Sequence, residues 1–339
     1  MNRKLIYIDN FLTQHGRTPT SGVAMVDLFK KEGYNIVYAS KINNRVLRLL
    51  DMLLLVLKNR KNSVALIATY STQAFYFAYL CGWLCRLLKI PYIPKLHGGD
   101  LPGRIKRSPG MCRRYFGKSV VNVAVSGYLE VCMRENGWNC TVISNYIRIA
   151  SYPFKQRTHC SPKLLWVRSF HIIYNPWLAL KLLKELLKQY PDAQLTMIGP
   201  DKDGCMGSCK LYAKEAGITE HVHFTGLLGK PEWTALAAEH DIFINTSNFD
   251  NLPVSVMEAM ALGMAVVSTD VGGVKYLVTD NENGLVVAPD NLEEMLKAVK
   301  RFLHDDSLTQ SLSLAAGQKA KEYDYEAVSA KWKKLLAQF

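Results

Sequence analysis

The chain has 339 residues, 49% of them hydrophobic and 21% charged, a globular balance that excludes a disordered or low-complexity protein. That length exceeds what a single core commonly supports, so two domains are expected. The net charge of +13 is uneven: residues 1–150 hold 22 Lys/Arg against 7 Asp/Glu and the remainder 20 against 22, so the first half suits an anionic partner.

In chain order, short β-branched runs alternate with helical patterns. The first half offers strands at Leu5–Asp9, Asn35–Ala39, Val64–Ala68, Tyr92–Lys95, Val120–Val125 and Thr141–Ile143. Between them lie helices at Val23–Lys31, Arg45–Lys58, Gln73–Leu88 and Tyr128–Asn136. After a polar, aperiodic stretch from Ala150 to Ser161, read as a hinge, the pattern restarts. Strands are expected at Lys163–Val167, Leu195–Ile198, His221–Thr225, Asp241–Thr246, Ala265–Thr269 and Leu285–Val287. Helices intervene at Trp177–Tyr190, Cys209–Ala216, Pro231–Glu239, Val254–Leu262 and Leu292–His304, and a last one runs from Tyr325 to Leu336. Such alternation means βαβ units, hence α/β architecture with mostly parallel, doubly wound sheets.

Open sheets of this kind bind ligands beyond the carboxyl ends of their strands. His97, Gly98, Gly99, Asp250 and the helix beginning at Pro253 fall at such ends. No run of about 18 apolar residues occurs, so no spanning helix is expected, and the opening Met1-Asn2-Arg3-Lys4 leads into a strand too short for a signal-peptide core. The eight cysteines lack zinc-ligand spacing and read as reduced, mostly buried thiols. The segment Arg45 to Asn62, a leucine-rich helix ending in Lys58-Asn59-Arg60-Lys61, reads either as a buried helix of the sheet or as a helix edge lying on a membrane. In the second case Arg45, Arg48, Lys58, Arg60 and Lys61 face lipid headgroups.

The richest segment is Phe249 to Gly273. It carries Asp250 ahead of a short helix and Glu258 eight residues on, inside it. A strand that feeds a helix N-terminus offers unpaired N–H groups and a positive dipole end, a seat for a diphosphate. Glu258, about one and a half turns in, can turn toward the same crevice and accept from vicinal hydroxyls.

This segment, Asp250-Asn251-Leu252-Pro253 followed by Glu258-Ala259-Met260-Ala261, resembles the acidic-x7-acidic motif of the group 1 (GT4-like) retaining glycosyltransferases. The likeness extends through Val222 to Gly226, Asp241 to Ser247, Gly272-Gly273 and Asn283 to Val287, and more loosely through His97-Gly98-Gly99-Asp100, Val125-Ser126 and Ile143-Ser144-Asn145. The resemblance implies a GT-B fold: an acceptor-binding Rossmann-like domain over residues 1–155, a nucleotide-sugar-binding one over 156–322, the two facing across a cleft, and a helix over 323–339 returning to the first. It implies transfer of a sugar from a nucleotide-diphosphate donor to a glycan or lipid-linked acceptor with retained anomeric configuration. No cofactor beyond the nucleotide-sugar co-substrate and no metal are expected.

By residue, the resemblance gives Glu258 to the ribose hydroxyls, Asp250 to the donor sugar and His97 to a donor-sugar contact. Arg168, with Asn251, Leu252, Pro253 and Val254 at the helix start, goes to the diphosphate, and Gly226 and Leu227 go to the base. Gly16 and Gly22 sit in a loop that in the family covers donor and acceptor. Basic Arg104, Lys106 and Arg107, with Arg113 and Arg114 beyond them, either line an acceptor groove or form a solvated loop. The chain departs from the family pattern in four respects. Arg168 is displaced by one position, and the diphosphate-binding lysine is missing where the chain reads Tyr174-Asn175-Pro176, so a second cation must come from elsewhere or be absent. Tyr276 replaces the glutamate usual after the Gly-Gly pair, and Asp250 is one methylene shorter than the family's glutamate. The implied setting is cytoplasmic, peripheral at the inner membrane face, with anionic lipid as a possible contact of the basic first half. Nucleic acid is not expected, since no recognition motif occurs. The alternatives are a non-catalytic nucleotide-sugar or polyanion-binding protein and a nucleotide-sugar epimerase or hydrolase of the same fold.

Overall fold

The structure is a computed structural model and describes residues 3–12 and 21–339. Gly16 lies outside the described residues. The chain forms two compact units, Met1–Asn145 with Tyr325–Phe339, and Tyr146–Asp324. Each unit is a six-stranded, all-parallel sheet among the described residues.

In the first unit the strands are β1 (Lys4–Ile8), β2 (Ile36–Ala39), β3 (Ser63–Thr69), β4 (Tyr92–Leu96), β5 (Asn122–Ala124) and β6 (Cys140–Val142), in the spatial order 2-1-3-4-5-6. The helices are α1 (Ser21–Lys31), α2 (Arg45–Lys58), α3 (Ala74–Leu87), α4 (Leu101–Arg107), α5 (Pro109–Phe116) and α6 (Gly127–Glu135). Side chains alternate along each strand. Ile6, Ile8, Ala65, Ile67 and Leu96 form a core with α2 to α6, while Tyr7 and Lys95 lie at the alternate positions. The terminal helix, Tyr325–Leu336, belongs to this unit. It seats Trp332 edge-on to Phe29 at 5.5 Å and surrounds Glu32 of the α1 end with Tyr325, Ser329 and Lys333.

The second unit contains β7 (Lys163–Val167), β8 (Gln194–Ile198), β9 (Val222–Gly226), β10 (Ile242–Asn245), β11 (Ala265–Thr269) and β12 (Leu285–Val287), ordered 12-11-10-7-8-9. Its helices are α7 (Pro176–Leu187), α8 (Cys205–Glu215), α9 (Lys230–Ala237), α10 (Val254–Ala261), α11 (Leu292–His304) and α12 (Asp306–Ala320), and the terminal helix is therefore α13. Leu164, Trp166, Ile242, Ile244 and Val267 pack with α7, α8 and α11. Leu165, Phe243 and Val266 alternate with them, and Val256, Met257 and Met260 of α10 are buried as well. The strand order reverses between β7 and β10, and α10 leaves the carboxyl end of β10 at that point, where such sheets bind ligands.

Three local readings change. The basic residues Arg104, Lys106, Arg107, Arg113 and Arg114 lie on helices, α4 and α5, not on a loop; Pro102 and Pro109 occupy their first turns, where a missing N–H is harmless. Ala150–Ser161 is not a free hinge, because Tyr152, Arg157 and Cys160 are buried and the unit division falls ahead of it, at Asn145/Tyr146. Arg157 is its anchor: its guanidinium donates to the carbonyls of Lys155, Leu262, Ala237 and His240 at 2.7–3.1 Å, closing the carboxyl ends of α9 and α10 together. Helix α12 was not anticipated, since its Ser, Ala and Gly residues carry little amphipathic signal. All eight cysteines are free and buried.

Candidate functional site

A buried polar ladder fixes the segment between β10 and α10. Asn245 donates to Ser268 Oγ (2.9 Å) and accepts from Ser247 Oγ (2.8 Å), and Thr269 Oγ1 donates to the Ser247 carbonyl (2.6 Å). Thr246 takes a hydrogen bond from Trp166 Nε1 (2.9 Å) and gives one to the Tyr174 carbonyl (2.8 Å). These bonds tie β7, β10 and β11 at their carboxyl ends and hold the turn that presents Asp250 and α10.

Asp250 is not a helix cap. One carboxylate oxygen accepts from its neighbour Asn251 N–H (2.9 Å), the other from Arg168 Nη2, and α10 begins only at Val254, with Pro253 as its N-cap. Arg168 extends from the end of β7 with its guanidinium 4.9 Å from the centre of the Tyr174 ring, a cation–π contact. Its Nε is buried with no hydrogen-bond partner among the described residues, as is Ser255 Oγ in the first turn of α10. Val254 and Ser255 also present N–H groups ahead of the first intrahelical bond. Arg168 thus keeps an orphan Nε beside Asp250, and the helix that follows Asp250 keeps an orphan Ser255 Oγ in its first turn.

Glu258 is 4% exposed. Its Oε1 accepts from Tyr152 Oη (2.7 Å) and pairs with Lys230, whose ammonium also donates to Tyr152 Oη (2.8 Å). Burial pulls Lys230 down to about 8 and pushes the Tyr152 phenol up. Tyr152 comes from the stretch read as a hinge and Lys230 from the start of α9, one residue ahead of the helix expected at Pro231–Glu239; the sequence reading names neither. Gly226 ends β9 at φ +72°, with open space where a Cβ would stand, so glycine answers the backbone there and not a steric limit. Leu227 follows it, exposed.

A second cation lies beside Arg168. Residues 200–202 run alongside 168–170: Phe170 N–H donates to the Pro200 carbonyl (2.8 Å) and Lys202 N–H to that of Phe170 (3.0 Å). Gly199 lets the two backbones meet, since a Cβ there would fall 1.8 Å from the Arg168 carbonyl oxygen. The Lys202 side chain is exposed, yet partial burial of its ammonium and, after that, the Arg168 charge lower its pKa. Asp201, Asp203 and Cys205 nearby could converge on a metal ion, but both carboxylates accept from backbone N–H groups at the start of α8, and nothing further marks them as ligands.

In the first unit, His97 follows β4 directly. Its ring stacks on Tyr70 (centroids 5.5 Å, 21° between planes), Nδ1 lies 3.3 Å from Ser21 Oγ, and Nε2 is buried without a partner among the described residues. Burial, then the Lys95 charge, hold it neutral. Gly98 is required by close approach: a Cβ would sit 2.3 Å from the Ser71 nitrogen. Behind this, Asp9 accepts from Tyr70 (3.0 Å) and Tyr7 (3.2 Å), and the fully buried Lys95 donates to Asn145 (3.2 Å). Gly22 is the buried second residue of α1. Arg104 is engaged locally, donating to the Ser71 and Thr72 carbonyls and resting on Phe75 and Tyr76. Arg107 pairs with Asp100 (2.7 Å), and Lys106 is exposed.

Comparison with known proteins agrees with this architecture. The chain is 15% identical to Anabaena HepE solved with UDP and glucose, with a TM-score of 0.79 and all of both chains covered. It is 14% identical to sucrose-phosphate synthase of Thermosynechococcus elongatus, with a TM-score of 0.80 and 99% of both covered. These likenesses show a GT-B fold. Among curated relatives, it is 29% identical over 155 residues to a poly(glycerol-phosphate) alpha-glucosyltransferase of Bacillus subtilis, covering 45% of this chain and 22% of that protein. It is 24% identical over 233 residues to a phosphatidyl-myo-inositol mannosyltransferase of Mycolicibacterium smegmatis, covering 65% and 58%. The chain thus matches less than two thirds of either relative's length. Residues 153–322 match the family described as glycosyl transferases group 1, and the chain belongs to that family.

Proposed function

We propose that the chain transfers a hexosyl group from a nucleotide-diphosphate sugar to a glycan or lipid-linked acceptor, retaining anomeric configuration, in cell-surface polysaccharide synthesis. The observation that carries the reading is the Arg168–Asp250 ion pair at the carboxyl ends of β7 and β10, just ahead of α10, in the unit that also buries Glu258. Glu258 binds the ribose hydroxyls, with Tyr152 and Lys230 fixing its carboxylate. Asp250 binds hydroxyls of the donor sugar. Arg168, Lys202 and the first N–H groups of α10 hold the diphosphate and stabilise the charge it gains as it departs. Supplying that charge from side chains and a helix end makes the reaction independent of a divalent metal.

In the first unit, His97 contacts a sugar hydroxyl through Nε2. Retention follows from front-face displacement, in which the leaving phosphate accepts the acceptor's proton. Lys106 and its neighbours on α4 are assigned to the acceptor side, and the protein acts in the cytoplasm at a membrane's inner face. UDP-sugars are the first donors to test, because HepE was solved with UDP and with UDP-glucose. The test is a thermal-shift screen of UDP-, GDP-, ADP- and CMP-sugars, followed by transfer assays of Glu258→Ala and Asp250→Ala. A ligand that binds only the folded state raises the melting temperature. Full activity in both variants would refute the site, and sugar products formed from donor without acceptor would favour the epimerase or hydrolase.

A further inference from the structure

Helices α2 and α3 of the first unit lie side by side, joined by an Arg45–Gln73 hydrogen bond (2.7 Å) and by Arg48 resting on Phe77 (5.4 Å). Both carry apolar side chains on the outside. On α2 the exposed residues include Leu47, Leu50, Leu54 and Leu57, which repeat every three or four positions and so form one stripe. On α3 a matching stripe runs through Tyr76, Leu80, Trp83 and Leu87, with Trp83 52% and Leu87 64% exposed. Inward-facing Met52, Val56, Phe75 and Ala78 already serve the core, so these eight are surplus to it. Two parallel stripes make a contiguous face, and such faces mark interaction sites.

The charges around the face identify its partner. Strands β3 and β4 are adjacent and parallel, which brings the carboxyl ends of α2 and α3 to one edge. There Lys58, Arg60, Lys61, Arg86 and Lys89 are all exposed. Helix α3 has no acidic residue, and α2 has Asp51 alone. Arg48, grouped with the headgroup cations on sequence grounds, is buried on Phe77 and takes no part. A second copy of the chain is a poor occupant, because it would bring together two halves that each hold 22 Lys/Arg against 7 Asp/Glu. We infer that the α2–α3 face docks on an anionic lipid bilayer, its leucines and Trp83 entering the acyl boundary and the cations at its edge meeting the headgroups.

This inference extends the membrane part of the proposed function and is independent of the transfer chemistry, so its test uses no donor. The chain is floated with phosphatidylcholine vesicles containing about 30% phosphatidylglycerol and with pure phosphatidylcholine vesicles. Binding is expected to the anionic vesicles, weakening with salt, and to fall about tenfold in Leu50→Glu/Trp83→Glu and in Lys58→Glu/Lys61→Glu. Trp83 emission should shift to the blue on binding, and Trp83→Phe should remove that shift while keeping the fold. Equal binding by wild type and the folded charge-reversal variants would overturn the inference. So would absence of binding, or a wild-type dimer in sedimentation that Leu50→Glu/Trp83→Glu converts to monomer. A protein that binds vesicles yet transfers no sugar leaves this inference standing and the transfer reading fallen.

Discussion

Arg168 and Asp250, 82 positions apart, meet as an ion pair at the mouth of the strand that each follows. If Asp250 takes sugar hydroxyls and Arg168 takes phosphate, the pair straddles the bond that breaks. Arg168→Ala should weaken nucleoside-diphosphate binding about tenfold or more, the range for a lost charge-assisted hydrogen bond, and reduce transfer about a hundredfold. Asp250→Asn should behave differently. Without its carboxylate competitor, Arg168 binds the nucleoside diphosphate as tightly as before or tighter, while transfer is lost. Calorimetry with the diphosphate and transfer assays on both variants separate the two roles; parallel losses in both would show that the residues act only as a structural pair.

Lys230 gives the site a pH signature. Its side chain is 61% exposed, yet partial burial of the ammonium lowers its pKa to about 8, so its cationic fraction falls as pH rises through that value. An anionic nucleotide should therefore bind several-fold more weakly at pH 9 than at pH 7. Lys230→Met should flatten that dependence, and Tyr152→Phe, which removes the hydroxyl bridging Lys230 and Glu258, should weaken binding at both values. Titrations by calorimetry across this range check it. The same slope in wild type and Lys230→Met would assign the pH effect to another group.

The parts of this site that were legible in the sequence are those whose signal is local. Asp250 and Glu258 announce themselves by spacing within one strand–helix turn, and the β-branched runs mark all twelve strands within a residue or two. Tyr152 was not legible because its partner Glu258 lies 106 positions away and its own surroundings, Ser151 to Lys155, show neither helical nor strand period. Lys202 is equally silent: it becomes a neighbour of Arg168 only through the parallel pairing of β7 and β8 and a glycine that lets their ends touch. Helices α4 and α5 are short and interrupted by Pro-Gly pairs that read as turns.

The stretch 150–161 also bears on stability. Arg157 is 3% exposed, satisfies four backbone carbonyls and approaches Asp241 at 3.7 Å. Arg157→Leu keeps much of the volume but orphans those acceptors and leaves Asp241 without its cation. A loss of about 3 kcal/mol or more is expected, which in a unit of this size lowers the melting temperature by roughly 6 to 12 °C. Thermal unfolding checks it, and a shift below about 2 °C would mean that the carbonyls find water instead.

Lys95 supplies a prediction with the opposite sign. It is fully buried on β4, between β3 and β5, and burial lowers its pKa to about 7, with the Asp9 charge opposing. In the unfolded chain a lysine titrates near about 10.4. Between those values the unfolded state holds a proton that the folded state lacks, so stability rises with pH across the window and the penalty is fully present below it. Asp9 contributes in another range: its raised pKa costs stability as pH climbs from about 4 through the folded value. Lys95→Met removes the ammonium and keeps an unbranched chain. It should melt higher than wild type at pH 7 and lose most of the wild-type gain between pH 7 and 9. An unchanged gain in the variant would place the titrating group elsewhere, and a lower melting temperature at pH 7 would show that the Lys95–Asn145 bond outweighs the buried charge.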